Sequence, residues 1–401
     1  MVTALTTQDK PAPILQKNEG NATAIEDNNG VVFRPNNCNR LVIKIGSSLL
    51  VDKRGQVRRD WLQTVAYDIA KLHQAGQQII VVSSGAVALG ARRLNLPRGG
   101  RASLEDAQAS ASVGQILLSQ CWAELLGACS LDSSQILLTL EDLEDRRRYL
   151  NVSATLDRLL SLGVVPVINE NDSIATAEIR FGDNDRLAAR IGQASHAAGV
   201  ILFSDVDGLY TANPSKNPEA KRIDRVDCID NSTEAMASTD SDSGMGSGGM
   251  ASKIEAARIA THSGVNLAIT TGKRPSPLTM FLEDGAGTLF TADASASAHK
   301  VWLAGRLTAH GQAYIDDGAV KALQDGKSLL PAGIYEIKGQ FNRGDVVDVL
   351  DGEDHLIARG LIEYDSEDVY KIIGKRSEEI AAILGYEPRT ALIHRNHMVM
   401  L

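Results

Sequence analysis

The sequence predicts an α/β protein: a mainly parallel sheet covered on both faces by helices, three layers in all, followed by a small β-rich domain. Three observations predict it. Short all-apolar runs alternate with stretches of helical periodicity, the pattern of strands buried on both faces. Several of these runs end in Gly, Ser, Asn or Asp, residues that suit ligand-facing loops rather than packed core. Beyond about residue 310 the helical pattern gives way to Gly, Asp and Pro turns with short alternating strands.

The elements follow in order. Residues 1–38 are polar and mixed, with Asn21, Asn28 and Asn29, and predict a disordered tail. They lack the apolar stretch of a signal peptide, and Glu19, Glu26 and Asp27 precede the first arginine, Arg34, which argues against a transit peptide. Leu41-Val42-Ile43-Lys44-Ile45-Gly46 reads as a buried strand entering a Gly/Ser loop. A helix follows, with Leu62, Val65, Ile69 and Leu72 at three- and four-residue steps and Gly76 as its stop. Ile79–Val82 is a second strand, leading into Ser83-Ser84-Gly85-Ala86, and Ile136–Leu138 a third. A helix with Leu156, Leu159 and Leu160 on one face ends at Gly163, and the strand Val164–Ile168 comes next. Arg186–Ala197 is helical, Val200–Phe203 is a strand ending at Ser204-Asp205, Ala251–His262 is a helix and Leu267–Ile269 a short strand. Thr271–Ser297, with Pro275 and Pro277, forms a connection or the last edge of this unit. Val346–Val349 and Leu356–Ala358 are strands of the second domain. The expected division is a tail over 1–38, a catalytic domain over 39–298, a β-rich domain over 310–390 and a C-terminal tail over 391–401.

Bulk properties exclude some function classes. Among 401 residues, 43% are hydrophobic and 23% charged, ordinary values for a globular protein, while aromatics at 4% leave an aliphatic core. A formal net charge of −9 disfavours a general nucleic-acid binder but permits a local cationic pocket. Cys38, Cys121, Cys129 and Cys228 form no C-x-x-C pair and no zinc-type spacing with His, so reduced thiols in a cytoplasmic protein are expected. No apolar run approaches the ~20 residues needed to span a bilayer.

Four polar clusters fall where ligands bind in a parallel sheet, beyond the carboxyl ends of strands: Gly46-Ser47-Ser48, Ser83-Ser84-Gly85, Asn169-Glu170-Asn171-Asp172 and Ser204-Asp205. A further cluster, Phe181-Gly182-Asp183-Asn184-Asp185, follows the third of these. Carboxylates and amides together suit a small zwitterion, because acids hold an ammonium and amide N–H groups hold a carboxylate. Taken alone, the same residues would also make Asx-rich turns.

Ser243 to Lys253 contains Gly244, Gly246 and Gly249 in a formal G-x-G-x-x-G, but it follows Ser- and Asp-rich sequence rather than a buried strand, so a dinucleotide fingerprint is disfavoured. It reads as a phosphate-cradling loop opening a helix, with a mobile linker as the bland alternative. There is no Walker A motif and no protein-kinase motif set. Lys44 lies inside an apolar strand, where a charge is costly unless paired. It is either a snorkelling strand-end lysine or a cation aimed at phosphates. With Lys253 it would place two positive charges around a transferring phosphoryl group, where charge neutralisation and alignment are most of the catalysis.

Taken together, Val42 to Ser48, Val82 to Ala86, the two Asn/Asp clusters, Ser204-Asp205-x-x-Gly208-Leu209-Tyr210 and Gly246 to Lys253 resemble the glutamate 5-kinase family, of the amino-acid kinase fold, over about residues 38–290. Gly326 to Ile334 and Arg343-Gly344-Asp345 are similar to a PUA domain. The resemblance implies a three-layer αβα sandwich and ATP-dependent phosphorylation of the γ-carboxylate of L-glutamate, the first step towards proline. It implies that Lys44 and Lys253 are catalytic, with Asp185 orienting both. Ser84, Asp172 and Asn184, helped by Asn169, would bind glutamate. Lys44, Ser204, Asp205 and the loop Ser247, Gly248, Gly249, Met250, Ala251, Ser252 and Lys253 would bind the nucleotide. Mg²⁺ is expected on ATP oxygens and water rather than in a protein cage.

The same resemblance implies feedback inhibition by proline, a homo-oligomer (dimer or tetramer) and a glutamyl phosphate reductase downstream. PUA-like domains often bind RNA, but residues 310–401 hold 10 Lys and Arg against 16 Asp and Glu, which makes RNA an unlikely partner here. The alternative enzyme reading is another member of the fold acting on a carboxylate, carbamate or nucleoside monophosphate.

Overall fold

The structure, a computed structural model, describes residues 28–52, 54–174, 184–238, 249–293, 309–389 and 391–401. Its larger sheet has eight strands in the order β3-β4-β2-β1-β5-β9-β10-β8. These are β1 (Arg40–Ile45), β2 (Gln78–Ser83), β3 (Ser133–Leu138), β4 (Val165–Glu170), β5 (Gly199–Ser204), β8 (Arg225–Val226), β9 (Asn266–Thr271) and β10 (Gly287–Phe290). The first six spatial positions are parallel, and β10 runs antiparallel to β9. The stretch expected to be a connection or last edge thus supplies a helix, Pro277–Asp284, and the antiparallel strand β10. A two-stranded ribbon, β6 (Leu209–Tyr210) with β7 (Arg222–Ile223), lies outside the sheet.

Because β1 lies between β2 and β5, the chain reverses its direction of sheet growth there, and the loops after these strands part to leave a crevice. Two apolar clusters form, one on each face. Val42, Ile80, Val82, Val200 and Leu202 point one way, and Leu41, Ile43, Ile45, Ile79 and Val81 the other. The first face is covered by α4 (Arg146–Ser161), α5 (Asn184–Ala194) and α6 (Met250–His262), the second by α1 (Arg59–Gln74) and α3 (Leu104–Gly127). The strand cores came through from the apolar pattern; α3, 24 residues long, is an addition to it.

The second domain is a five-stranded sheet, β12-β11-β13-β14-β15, built from β11 (Gly311–Ile315), β12 (Ile334–Gly339), β13 (Val346–Leu350), β14 (Leu356–Leu361) and β15 (Met398–Met400), with helices at 317–324, 366–372 and 377–384. It seats directly on the first: Arg343 Nη1 donates to Asn151 Oδ1 at 2.6 Å, and Val346, Leu361 and Val399 join the cluster around α4.

Two tail expectations fail within the described residues. Residues 29–33 form a 3₁₀ turn whose Phe33 is wholly buried against Phe281. A polar average over 38 residues conceals the short run Val31-Val32-Phe33. At the other end, 391–401 is not a tail: Leu392 and Ile393 are buried and β15 pairs antiparallel with β14. Residues 1–27 lie outside the described residues.

Candidate active site

Lys44 is the penultimate residue of β1, in register with Val82 on β2 and Leu202 on β5. It therefore shares a sheet face with Val42, under α5 and α6. Both helices bring a charged residue to it in their first turn: Asp185 from α5 and Lys253 from α6. Small side chains along the covering faces, Ala188, Ala189, Ala256 and Ala257, all wholly buried, let the two helices lie close to each other and to the strands.

The three groups meet. Lys44 Nζ lies 2.6 Å from Asp185 Oδ1, and Lys253 Nζ lies 3.0 Å from Asp185 Oδ2. Lys44 and Lys253 are each 6% exposed and Asp185 1%. Burial alone would raise the Asp185 pKa, but the charges and hydrogen bonds of both lysines outweigh it and hold it at about 2. With the carboxylate ionised, two ammonium groups share one carboxylate, so the cluster retains a net positive charge at the carboxyl edge of the sheet. Gly46 leaves the approach open: a Cβ there would lie 3.7 Å from Lys44 Nζ and 3.8 Å from the Phe203 carbonyl oxygen.

On one side of the cluster is Ser204, buried at the end of β5, whose Oγ donates to the exposed Asp205 carboxylate at 3.2 Å. Gly249 caps α6 in an extended conformation, and Met250, Ala251 and Ser252 open the helix, where first-turn N–H groups lack intrahelical acceptors. Ser247 and Gly248 lie outside the described residues, as do Phe181, Gly182 and Asp183.

On the other side, the amides and hydroxyl expected to hold an amino acid form a connected set. Asn184 Nδ2 donates to Ser84 Oγ at 2.8 Å and to Asn169 Oδ1 at 3.0 Å. Ser84 is presented by Gly85, whose φ of 111° starts the helix α2 (Ala86–Arg93) in a conformation that other residues adopt only with strain. Asn184 Oδ1 and Asp172 Oδ1 are both buried and accept no hydrogen bond from the described residues. Burial pushes the Asp172 pKa up to about 6, with the Arg101 charge pulling it partly back. Two buried acceptors without donors make a receptor for a donor, and an ammonium carries three.

The geometry adjusts the sequence expectation in two places. Asn184 and Asp185 lie inside α5, which was expected to begin at Arg186, and Asn169 lies inside β4, which was expected to end at Ile168. A second set of residues went unnoticed. From α3, Gln115 accepts from Asn169 Nδ2 at 2.8 Å and Trp122 Nε1 donates to Ser83 Oγ at 2.9 Å. The signal available for α3 was a Ser103 cap followed by Glu105 and Asp106, and Ser103 Oγ does accept from Asp106 N.

Residues 39–271 match the amino acid kinase family, and residues 311–384 match the PUA domain. The chain belongs to the amino acid kinase family. It is 89% identical over 375 residues to a glutamate 5-kinase of Zymomonas mobilis, covering 94% of each chain. A glutamate 5-kinase of Sphingopyxis alaskensis is 60% identical over 92% of this chain and 100% of its own, and one of Brucella anthropi is 51% identical over 91% and 96%. No helix among the described residues is long and apolar enough to cross a membrane.

Proposed function

We propose that the chain transfers the terminal phosphoryl group of ATP to the γ-carboxylate of L-glutamate, giving L-glutamyl 5-phosphate, the first step of proline biosynthesis. The observation that carries this reading is the shared carboxylate: Lys44 and Lys253 both on Asp185, with a net positive charge at the sheet edge. The relatives' common name supplies the substrate.

A γ-carboxylate with an ordinary pKa of about 4.3 is already ionised at neutral pH, so no general base is required. The obstacle is repulsion between that carboxylate and the ATP phosphates. Lys44 sits between the reactants and offsets both charges. Lys253 stabilises charge developing on the leaving side, and Asp185 holds both ammonium groups in place. Asp172 and Asn184 receive the α-ammonium through their unfilled oxygens, and Ser84 and Asn169 fix Asn184. Ser204, Asp205 and the Ser247 to Lys253 segment, including Gly248, Gly249, Met250, Ala251 and Ser252, hold the nucleotide. Among the described residues no group of three or more His, Cys, Asp or Glu is arranged to hold a metal ion. Mg²⁺ would be carried chiefly by ATP oxygens and water, where it neutralises phosphate charge.

Proline, a cyclic relative of glutamate with the same ammonium and α-carboxylate, fits the same pocket as a feedback inhibitor. The labile acyl phosphate calls for a glutamyl phosphate reductase to consume it. The enzyme works in the cytoplasm as a dimer or tetramer, and the PUA domain serves regulation, assembly or stability. The test is ATP with a panel of glutamate, aspartate, N-acetylglutamate, carbamate and UMP, trapping acyl phosphate with hydroxylamine. Hydroxamate from glutamate alone supports the reading; turnover of another acceptor without glutamate overturns it.

A further inference from the structure

We infer that Gln115 is a positioning residue for the substrate pocket, fixing Asn169 and through it the direction in which the Asn184 carbonyl points. This rests on the reading of Asn184 as the ammonium receptor.

A primary amide has one accepting and one donating end, so a partner that fixes one end fixes the other. Ser119 Oγ, on α3, donates to Gln135 Oε1 on the edge strand β3 at 2.7 Å. Gln115 Nε2, 3.4 Å away, donates to the same Ser119 Oγ. The Gln115 oxygen is thereby turned to Asn169 and accepts from Nδ2 at 2.8 Å. Asn169 presents its oxygen on the far side, where the Glu170 backbone N–H, which can only donate, holds it at 2.9 Å and Asn184 Nδ2 donates to it at 3.0 Å, so Gln115 and Glu170 N hold the two ends of the Asn169 amide together. The Asn184 NH₂ group is occupied by Asn169 and Ser84, which leaves Asn184 Oδ1 as a buried acceptor without a donor among the described residues. Reversing Asn169 would present its NH₂ to that of Asn184. Asn184 would then reverse in turn and aim donors at an ammonium.

Gln115 has little freedom to do otherwise. It is 8% exposed, and α3 is pinned on either side of it. Its neighbour Gly114 abuts the backbone of α2, and Trp122, two turns on, donates to Ser83 at the end of β2.

The test compares the full-length wild type with Gln115→Met and Gln115→Glu, measuring glutamate and ATP kinetics and the preference for glutamate over glutarate, which has the same γ-acid and no ammonium. Gln115→Met should raise the glutamate KM roughly tenfold, the effect of one lost hydrogen bond on binding. The preference over glutarate should fall by a similar factor, and kcat and the ATP KM should stay within about twofold. Gln115→Glu, whose buried carboxyl in its protonated form accepts from Asn169 and donates to Ser119 Oγ as the amide does, should recover most of the loss. A wild-type glutamate KM and glutarate preference in Gln115→Met would overturn the inference. So would a parallel rise of both KM values with a loss of thermal stability that Gln115→Glu shares, since that is a folding effect. A wild type that takes glutarate as readily as glutamate would remove the ammonium reading itself.

Discussion

The ammonium of Lys44 and the carboxylate of Asp185 lie 2.6 Å apart, nearly sealed from solvent. The second lysine, Lys253, occupies the other carboxylate oxygen. Removing Asp185 therefore removes the carboxylate that two buried ammonium groups share. Asp185→Asn should cost roughly 3–5 kcal/mol of stability at pH 7 and lower turnover by about 10²-fold or more. The pH dependence follows from the sign of the shift. The folded-state pKa, about 2, is below the ordinary 3.8, so the stabilisation is present above pH 4 and disappears as pH falls towards 2. Urea melts of the two proteins between pH 7 and pH 3 should converge on the acid side. A gap that stays constant down to pH 3 would show that the Asp185 charge is not its source.

Removing one lysine is a different perturbation. Lys44→Met or Lys253→Met leaves a neutral pair, because Asp185 keeps one partner. Stability should fall less than in Asp185→Asn, while kcat falls by about 10²-fold for each, the usual effect of losing one electrostatic stabiliser of the transition state. Paired measurements of melting and turnover check this. A variant that melts normally and turns over at the wild-type rate would free that lysine of any catalytic role.

Asp172 gives a pH dependence of substrate binding rather than of folding. Burial raises its pKa to about 6, so the free enzyme carries a protonated Asp172 below that pH and a carboxylate above it. An ammonium is held by the carboxylate form. The glutamate KM should therefore be flat above pH 7 and climb about tenfold per pH unit below 6, while the ATP KM stays level. The same shift means that the charged form of Asp172 is unfavourable in the folded protein, so its contribution to stability falls as pH rises from about 4 to 6. In Asp172→Asn the glutamate KM should be high throughout and lose its acid limb. Parallel KM profiles for wild type and variant would count against the assignment.

The sequence made the sheet and the two lysines readable for a physical reason: a strand buried on both faces is apolar throughout, so Lys44 stands out in β1. Other parts were hidden by the averages used to read them. Phe33 was lost in the polar mean of the first 38 residues, although its ring is wholly buried. In α3 the polar residues Ser110 and Gln115 face inward while Ile116 is 70% exposed, so the one-sided apolar stripe that marks a helix is blurred. Of those inward polar groups, Gln115 is the one that reaches Asn169. Asn184 and Asp185 looked like loop residues because Asx clusters favour turns, yet a carboxylate in the first turn of α5 also suits the helix dipole.

The crossing of α2 and α3 offers the most stringent test of how the pocket is held. A Cβ on Gly114 would lie 1.8 Å from the Ala86 carbonyl oxygen, and one on Gly90 1.7 Å from that of Ser110. Both obstacles are backbone, so neither can be relieved by turning a side chain. Gly114→Ala must push the helices apart, at a cost of about 1–3 kcal/mol for overpacking. The displacement has a direction: α3 carries Gln115, and α2 begins at the Ser84-Gly85 turn, so separation loosens the Gln115–Asn169 and Asn184–Ser84 contacts together. The glutamate KM should rise more than the ATP KM, since the lysine cluster is built on β1, α5 and α6 instead. Thermal melts and two-substrate kinetics on Gly114→Ala measure both effects. An enzyme that melts lower but keeps its glutamate KM would mean that the pocket is held independently of this helix pair.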